Sequence, residues 1–254
     1  MNSTAISGHD SQLRNRLISF IWQHFWLLIS LFIMTFGVAL CVRSALGSSV
    51  ISTIPFVMSL AGADGMAPAL TIGEYTYIMN FALVGGQILV LRRRFEPVQL
   101  FQLLIGFFFG FLLDVNMALT STLDLSSLPM QALAQAAGCT VLGFGIAMEV
   151  RCGSVTMPGE GFPVALSRVT DMPFAKAKII VDISLVAIAV VLGYAFFGQW
   201  LWQVVGFGTL FAMLYVGLCV KFLSPRMGWF DRTLGYRPGF RRYIYGLARF
   251  LPKN

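Results

Sequence analysis

Arginine is costly inside a membrane, and this chain carries two of them at the head of similar stretches. Arg43 opens Arg43-Ser-Ala-Leu-Gly-Ser-Ser-Val-Ile-Ser-Thr-Ile-Pro55, and Arg151 opens Arg151-Cys-Gly-Ser-Val-Thr-Met-Pro-Gly-Glu-Gly-Phe-Pro163. Both stretches break helices and lie beside long apolar runs. A guanidinium is a permanently charged fork that pairs with carboxylate or phosphate. The first turn of a helix adds unpaired amides at the positive end of its dipole. Together these parts suit a small anion or a carbonyl oxygen. Arg43 and Arg151 would draw such a solute inward. Ser48, Ser49 and Ser52 would hold it from one stretch, and Ser154, Thr156 and the backbone of Gly159, Glu160 and Gly161 from the other. The plainer alternative is that each arginine snorkels to headgroups or fixes a helix end.

A carboxylate at membrane depth is costly enough to be a functional candidate by default. Glu160 is therefore a candidate proton or cation coupler, with pairing to Arg151 as the structural alternative. Glu149, two residues before Arg151, is expected to face elsewhere on its helix. Asp182 either pairs with Lys178 one turn earlier or lines a cavity together with Asn80. Asp114 is expected to meet solvent. His9 and His24 are the only imidazoles, and Cys41, Cys139, Cys152 and Cys219 show no CxxC or Cys/His spacing. The cysteines read as small buried side chains. No metal site, cofactor or nucleophile–base pair can be assembled, and the expectation is a non-enzyme.

The elements that would position these residues follow from composition. Of 254 residues, 57% are hydrophobic and 11% charged, and the mean hydropathy is +0.77. These values define an integral membrane protein. Spans of the roughly 20 apolar residues that cross a bilayer are read at Leu17 to Cys41, Glu74 to Leu91, Val98 to Leu119, Pro129 to Val150, Lys176 to Phe197 and Trp200 to Val220. Short apolar pieces, Phe56 to Leu60 and Phe162 to Ser167, follow the two polar breaks. Gly106 and Gly110 have the spacing that lets helix backbones approach.

The net charge of +7 resides in the tail, where eight basic residues from Lys221 to Lys253 oppose the single Asp231. Interleaved aromatic residues make it an interfacial segment for anionic lipid headgroups, and nucleic acid is not the expected partner.

The two breaks are related. Shifting the chain by 108 residues places Phe36 to Ser59 on Phe144 to Ser167, with seven of twenty-four positions identical, among them Arg43/Arg151 and Pro55/Pro163. Residues awkward in a membrane recur at the same places, which points to an internal repeat. Further on, Asn80 stands opposite Asp182. If each break dips in and returns on one side, Arg92 to Arg94, Arg151, Arg168, Lys176, Lys178 and the tail all fall inside, and only Arg43 falls outside. This satisfies the positive-inside rule, and eight full crossings do not.

The expected fold is therefore all-α and membrane-integral, with six transmembrane helices as two inverted three-helix repeats, each carrying a re-entrant half-helix. Residues 1–16 form a cytoplasmic leader, 17–119 the first repeat, 120–128 an external linker, 129–222 the second repeat and 223–254 the basic tail. Both termini are expected in the cytoplasm.

The run Ala39 to Pro55, the Leu91-Arg-Arg-Arg-Phe95 stop, and Pro158-Gly-Glu-Gly161 followed by Ala175-Lys-Ala-Lys178 resemble the YczE-type, YitT-related family of bacterial multipass membrane proteins over about residues 20 to 225. The resemblance implies a bacterial inner-membrane protein and brings no substrate or catalytic residue. From the repeat and the polar breaks, the leading expectation is a secondary transporter for a small anionic or zwitterionic metabolite. An aquaporin-like channel and a non-transporting scaffold or chaperone are the alternatives, the scaffold requiring Arg151 to pair with Glu160. Lipids are the second partner, and a homodimer is an open option.

Overall fold

The computed structural model describes residues 3–153 and 155–235, with side chains in the first helix described at 14, 15 and from 17 onward. Among the described residues the protein is all-helical. Its helices are α1 (Ser3–Arg43), α2 (Thr53–Ala63), α3 (Ile72–Leu91), α4 (Phe101–Leu119), α5 (Leu128–Cys152), α6 (Pro158–Thr170), α7 (Phe174–Phe197), α8 (Phe207–Leu223) and α9 (Gly228–Leu234).

Five helical stretches are long and apolar enough to cross a membrane: Leu17–Arg43, Pro97–Leu119, Leu128–Cys152, Phe174–Phe197 and Phe207–Arg226. The chain is thus a multi-pass membrane protein by length and composition. Helix α3 has 20 residues but is diluted by Glu74, Asn80 and Gln87, and falls short of the same apolarity. Several boundaries differ from those read in the sequence. The leader is helical from Ser3, continuous with α1. The short pieces after the breaks grow to 11 residues in α2 and 13 in α6. The last span starts at Phe207, not Trp200, because left-handed Gly198 (φ 66°) ends α7 and the following loop is fastened by Trp200 Nε1 donating to Val205 O at 2.7 Å.

The core is built on α1 against α5. Gly37 and Gly138 let the two backbones touch: a Cβ on Gly138 would meet Gly37 O at 2.8 Å. Cys41 and Cys139 lie across this contact, buried and free, with their sulfurs 3.8 Å apart. Helix α4 is tied to α1 by Asn116 Nδ2, which donates to Phe32 O at 3.1 Å and Thr35 Oγ1 at 2.8 Å. Helix α8 is tied to α5 by Gln135 Nε2 donating to Gly208 O at 2.8 Å, and Ser44 Oγ just past the end of α1 donates to Gln135 Oε1 at 2.7 Å. Without water, such polar groups must find partners inside the protein.

The neighbours form matched pairs. Helix α1 packs on α4 and α5 on α8; α3 packs on α6 and α7 on α2; α2 packs on α3 and α6 on α7. The match fails most clearly at α3, which packs along α4, whereas α7 and α8 are not neighbours in this way.

Contacts also sort the helix ends. Arg43 Nη2, at the end of α1, donates to Met117 O at 2.8 Å. One turn earlier on α4, Asp114 accepts from Thr71 Oγ1 at 2.6 Å and from Gly73 N at 2.8 Å. The chain therefore leaves α1 and enters α3 beside the same end of α4. Asp114, half-buried at this exposed end, serves as a cap for α3, which also has a capping box between Thr71 and Glu74. At the opposite end of the bundle, Gln23 Nε2 on α1 donates to Cys152 O, the last residue of α5, at 2.7 Å. Phe174, starting α7, packs there with Leu91 at the end of α3 and with Val164 and Ala165 of α6.

Candidate functional site

The second break is built locally. Gly153 takes the left-handed conformation (φ 68°) that ends α5, residues 155–157 form an extended piece, and α6 starts at Pro158, whose missing N–H is not needed in a first turn. Glu160 thus falls in the first turn of α6. The first break has the same plan, with a short 3₁₀ turn, Val50–Ser52, leading into α2. The breaks meet: the Ile51 side chain lies where a Cβ on Gly159 would be. Gly161 likewise lies against the amides of Gln87 and Gln102, which pair reciprocally at 3.1 and 3.0 Å between α3 and α4.

Beside this meeting point, where α7 and α8 part, lies a cavity of about 280 Å³. Most of its wall is apolar, with Met34, Phe109, Ile146, Met157, Met213 and Val216 among the contributors. The charged groups lining it are Glu160, Lys178 and Asp182. Lys178 Nζ stands 2.7 Å from Asp182 Oδ1 and 3.6 Å from Glu160 Oε1. The spacing of Lys178 and Asp182 by one helical turn places both on the cavity face of α7. Ser49 reaches the wall from the first break and pairs with Ser52 Oγ at 2.8 Å.

The sequence-predicted residues divide accordingly. Ser49, Glu160 and Asp182 line the cavity, and Ser52 supports Ser49 from behind. Ser48 instead turns to Val204 O at 3.2 Å. Asn80 is buried against Gly106 O at 3.5 Å between α3 and α4, away from the cavity that Asp182, aligned with it in the sequence, faces. Thr156 is buried and is not among the lining residues, and Gly159 and Gly161 serve as points of close approach. Ser154 lies outside the described residues, as does the tail from residue 236.

Neither arginine reaches the cavity. Arg43 is bound to the end of α4 as described. Arg151 pairs with Asp231 of α9 and donates to Ser224 O beyond α8. A guanidinium so engaged ties helix ends together, and Glu160 is Lys178's neighbour, not Arg151's. Glu149 is buried, and its Oε1 accepts from Met157 N at 3.2 Å. It fixes the extended piece of the second break, whose Met157 side chain forms part of the wall.

The residue whose place sequence reasoning missed is Lys178. It was visible only as a partner for Asp182. That Glu160 would join them required α6 to pack on α7, which spacing along the chain does not reveal.

These features define a helical membrane protein with a polar-ended cavity between packed helix breaks. Residues 21–225 match the model of DUF6198, a family of unknown function, and the chain belongs to that family. No curated protein and no solved structure matches it.

Proposed function

We propose that the protein is a small membrane transporter whose solute site is the cavity lined by Glu160, Lys178, Asp182 and Ser49. The observation that carries this reading is the position of the cavity, at the contact between the two helix breaks and beside an ammonium flanked by two carboxylates. Charges held inside a membrane domain beside open space serve a passing solute or ion more readily than stability. The charge set also narrows the solute. With both arginines engaged elsewhere, the cavity offers one cation and two anions, which suits a zwitterion better than a simple anion.

Six spans in two inverted repeats accompany the reading, with α3 as the sixth span and α2 and α6 as re-entrant half-helices. Its support is the matched set of helix neighbours and the return of each break to the end of the bundle it left, the two ends being opposite. The YczE-type, YitT-related resemblance agrees with placement in a bacterial inner membrane, with both termini and Arg92 to Arg94 inside. The scaffold alternative required an Arg151–Glu160 pair, and Arg151 pairs instead with Asp231.

A thermal-shift screen of compounds bearing both an ammonium and a carboxylate or phosphate tests the site. A ligand at a hundred times its Kd stabilises by about 2.7 kcal/mol, and the shift should vanish in Lys178→Gln and Asp182→Asn. A shift retained in both variants moves the site elsewhere. Topology is tested apart from this: a cysteine replacing Arg93 that is labelled by an impermeant thiol reagent from outside the cell would overturn the inverted arrangement.

A further inference from the structure

We infer that the cavity takes a single-chain zwitterionic amphiphile, which enters sideways from the bilayer between α7 and α8. This rests on the site reading above and specifies its ligand. Three observations carry it.

The first is where the cavity opens. Its walls include Phe174, Lys178 and Asp182 from α7 and Met213, Val216, Gly217 and Val220 from α8, two helices that do not close on each other. These are also the two least buried of the five apolar spans. Beside the gap, α7 bares Ile179 and Ile183, and α8 bares Leu214 and Leu218. Apolar side chains bare on a membrane helix face lipid, so the gap lies on the lipid-facing perimeter. At Gly217, which is itself exposed, an added Cβ would meet nothing within 4 Å. The glycine leaves a window in the α8 side of the cavity.

The second is the distribution of polarity. The charged groups are confined to Glu160 and the first three turns of α7, near the end of the bundle where Phe174 meets Leu91. The rest of the lining is largely hydrocarbon and thioether. A water-soluble zwitterion would leave that surface without a partner, whereas a hydrocarbon chain covers it. An ammonium headgroup fits the two carboxylates, and its attached anion fits Lys178.

The third is size. A cavity of about 280 Å³ falls just below the roughly 300–1,000 Å³ typical of small-molecule pockets. That space takes the headgroup and part of one chain, and leaves no room inside for a second chain.

The test uses the purified full chain in phosphatidylcholine nanodiscs, with a lysophosphatidylethanolamine carrying a photoreactive diazirine in its acyl chain. Illumination should label Phe174, Met213, Val216 or Gly217. Excess unlabelled lysophosphatidylethanolamine should remove the label, and neither soluble phosphoethanolamine nor the two-chain phosphatidylethanolamine should do so. Gly217→Phe, and Gly217→Leu as the milder filling, should lower the labelling at least tenfold. If the Gly217 variants do not fold, the competition on the wild-type chain decides alone.

Equal labelling of Leu89, Phe111 and Leu214 would mean ordinary bilayer contact and would overturn the inference. So would displacement by phosphoethanolamine, which would leave a water-soluble solute in the proposed transport site. Cross-linking of α7 or α8 to a second copy, with the probe excluded, would overturn it in favour of a dimer contact. Specific labelling without transbilayer movement of the probe in vesicles would keep this inference and remove the transport reading.

Discussion

Helices α3 and α7 hold corresponding places in the proposed repeat, yet one is closed against its neighbour and the other is open. Along α3, the Gln87 amide pairs with Gln102 of α4, Asn80 abuts Gly106, and Gly73 approaches Gly110. Along α7, the cavity separates the helix from α8. When the halves are aligned through Asn80 and Asp182, Thr76 and Asn80 of the closed wall stand opposite Lys178 and Asp182 of the open one. Neutral groups satisfy each other in a dry contact. Thr76 does so on its own helix, donating to Ile72 O at 2.7 Å. An ammonium between two carboxylates loses too much hydration to be pressed between helices, because desolvation of ions offsets their attraction. The difference in side-chain chemistry therefore accounts for which wall closes.

The sharpest way to break the comparison is to force the closed wall open. A Cβ at Gly110 would fall on Gly73 O and the Tyr77 ring, so Gly110→Leu must part α3 from α4. Overpacking costs typically 1–3 kcal/mol, and backbone contact on both sides puts this substitution at about 3 kcal/mol. Thermal unfolding of the purified variant checks it. A midpoint equal to wild type would mean that α3 and α4 are not in close contact.

The next effect comes from the open wall. Lys178→Ala leaves Glu160 and Asp182 beside each other without their cation. Breaking a fully buried pair costs roughly 3–5 kcal/mol. Here the side chains of Lys178, Glu160 and Asp182 retain 28%, 21% and 12% exposure, which lowers the expected loss to about 1–3 kcal/mol. Adding Asp182→Asn should recover part of the stability. Unfolding midpoints that respond additively to the two changes would show that the groups do not interact.

This asymmetry marks where the sequence stops being legible. The apolar runs, the two polar breaks and the placement of Pro158 at a helix start follow from local chemistry, and the structure has helices and breaks in those places. The partners of Arg43 and Arg151 do not follow. Arg151's carboxylate is Asp231, 80 residues away in a stretch whose composition suggests a membrane surface. The cavity is equally hidden, since it arises from a contact that α7 and α8 fail to make. Glu160 and Asp182 stood out because carboxylates are rare in such a chain. Lys178 did not, because a lysine near a span's end has an ordinary interfacial role.

An effect of similar size tests the amide pair of the closed wall. Gln87→Leu strands the Gln102 side chain among buried atoms, and an unsatisfied polar group of this kind costs about 1–3 kcal/mol. The double variant Gln87→Leu/Gln102→Leu removes both amides and should be closer to wild type than either single change. A double variant worse than the sum of its parts would assign the glutamines a role beyond pairing each other, such as seating Gly161 of α6.

The smallest expected change in stability is at Gly217, and it separates the two walls most cleanly. Gly217→Leu introduces the same side chain as Gly110→Leu, again at a glycine within a helix, but into open space. Substitutions without contacts to disturb usually stay within about 0.5 kcal/mol, and leucine is the better helix former. The unfolding midpoint should therefore hardly move, while the cavity loses volume and ligand-induced stabilisation falls. A large loss of stability would show that α8 closes on α7 in the membrane, and the contrast between the halves would disappear.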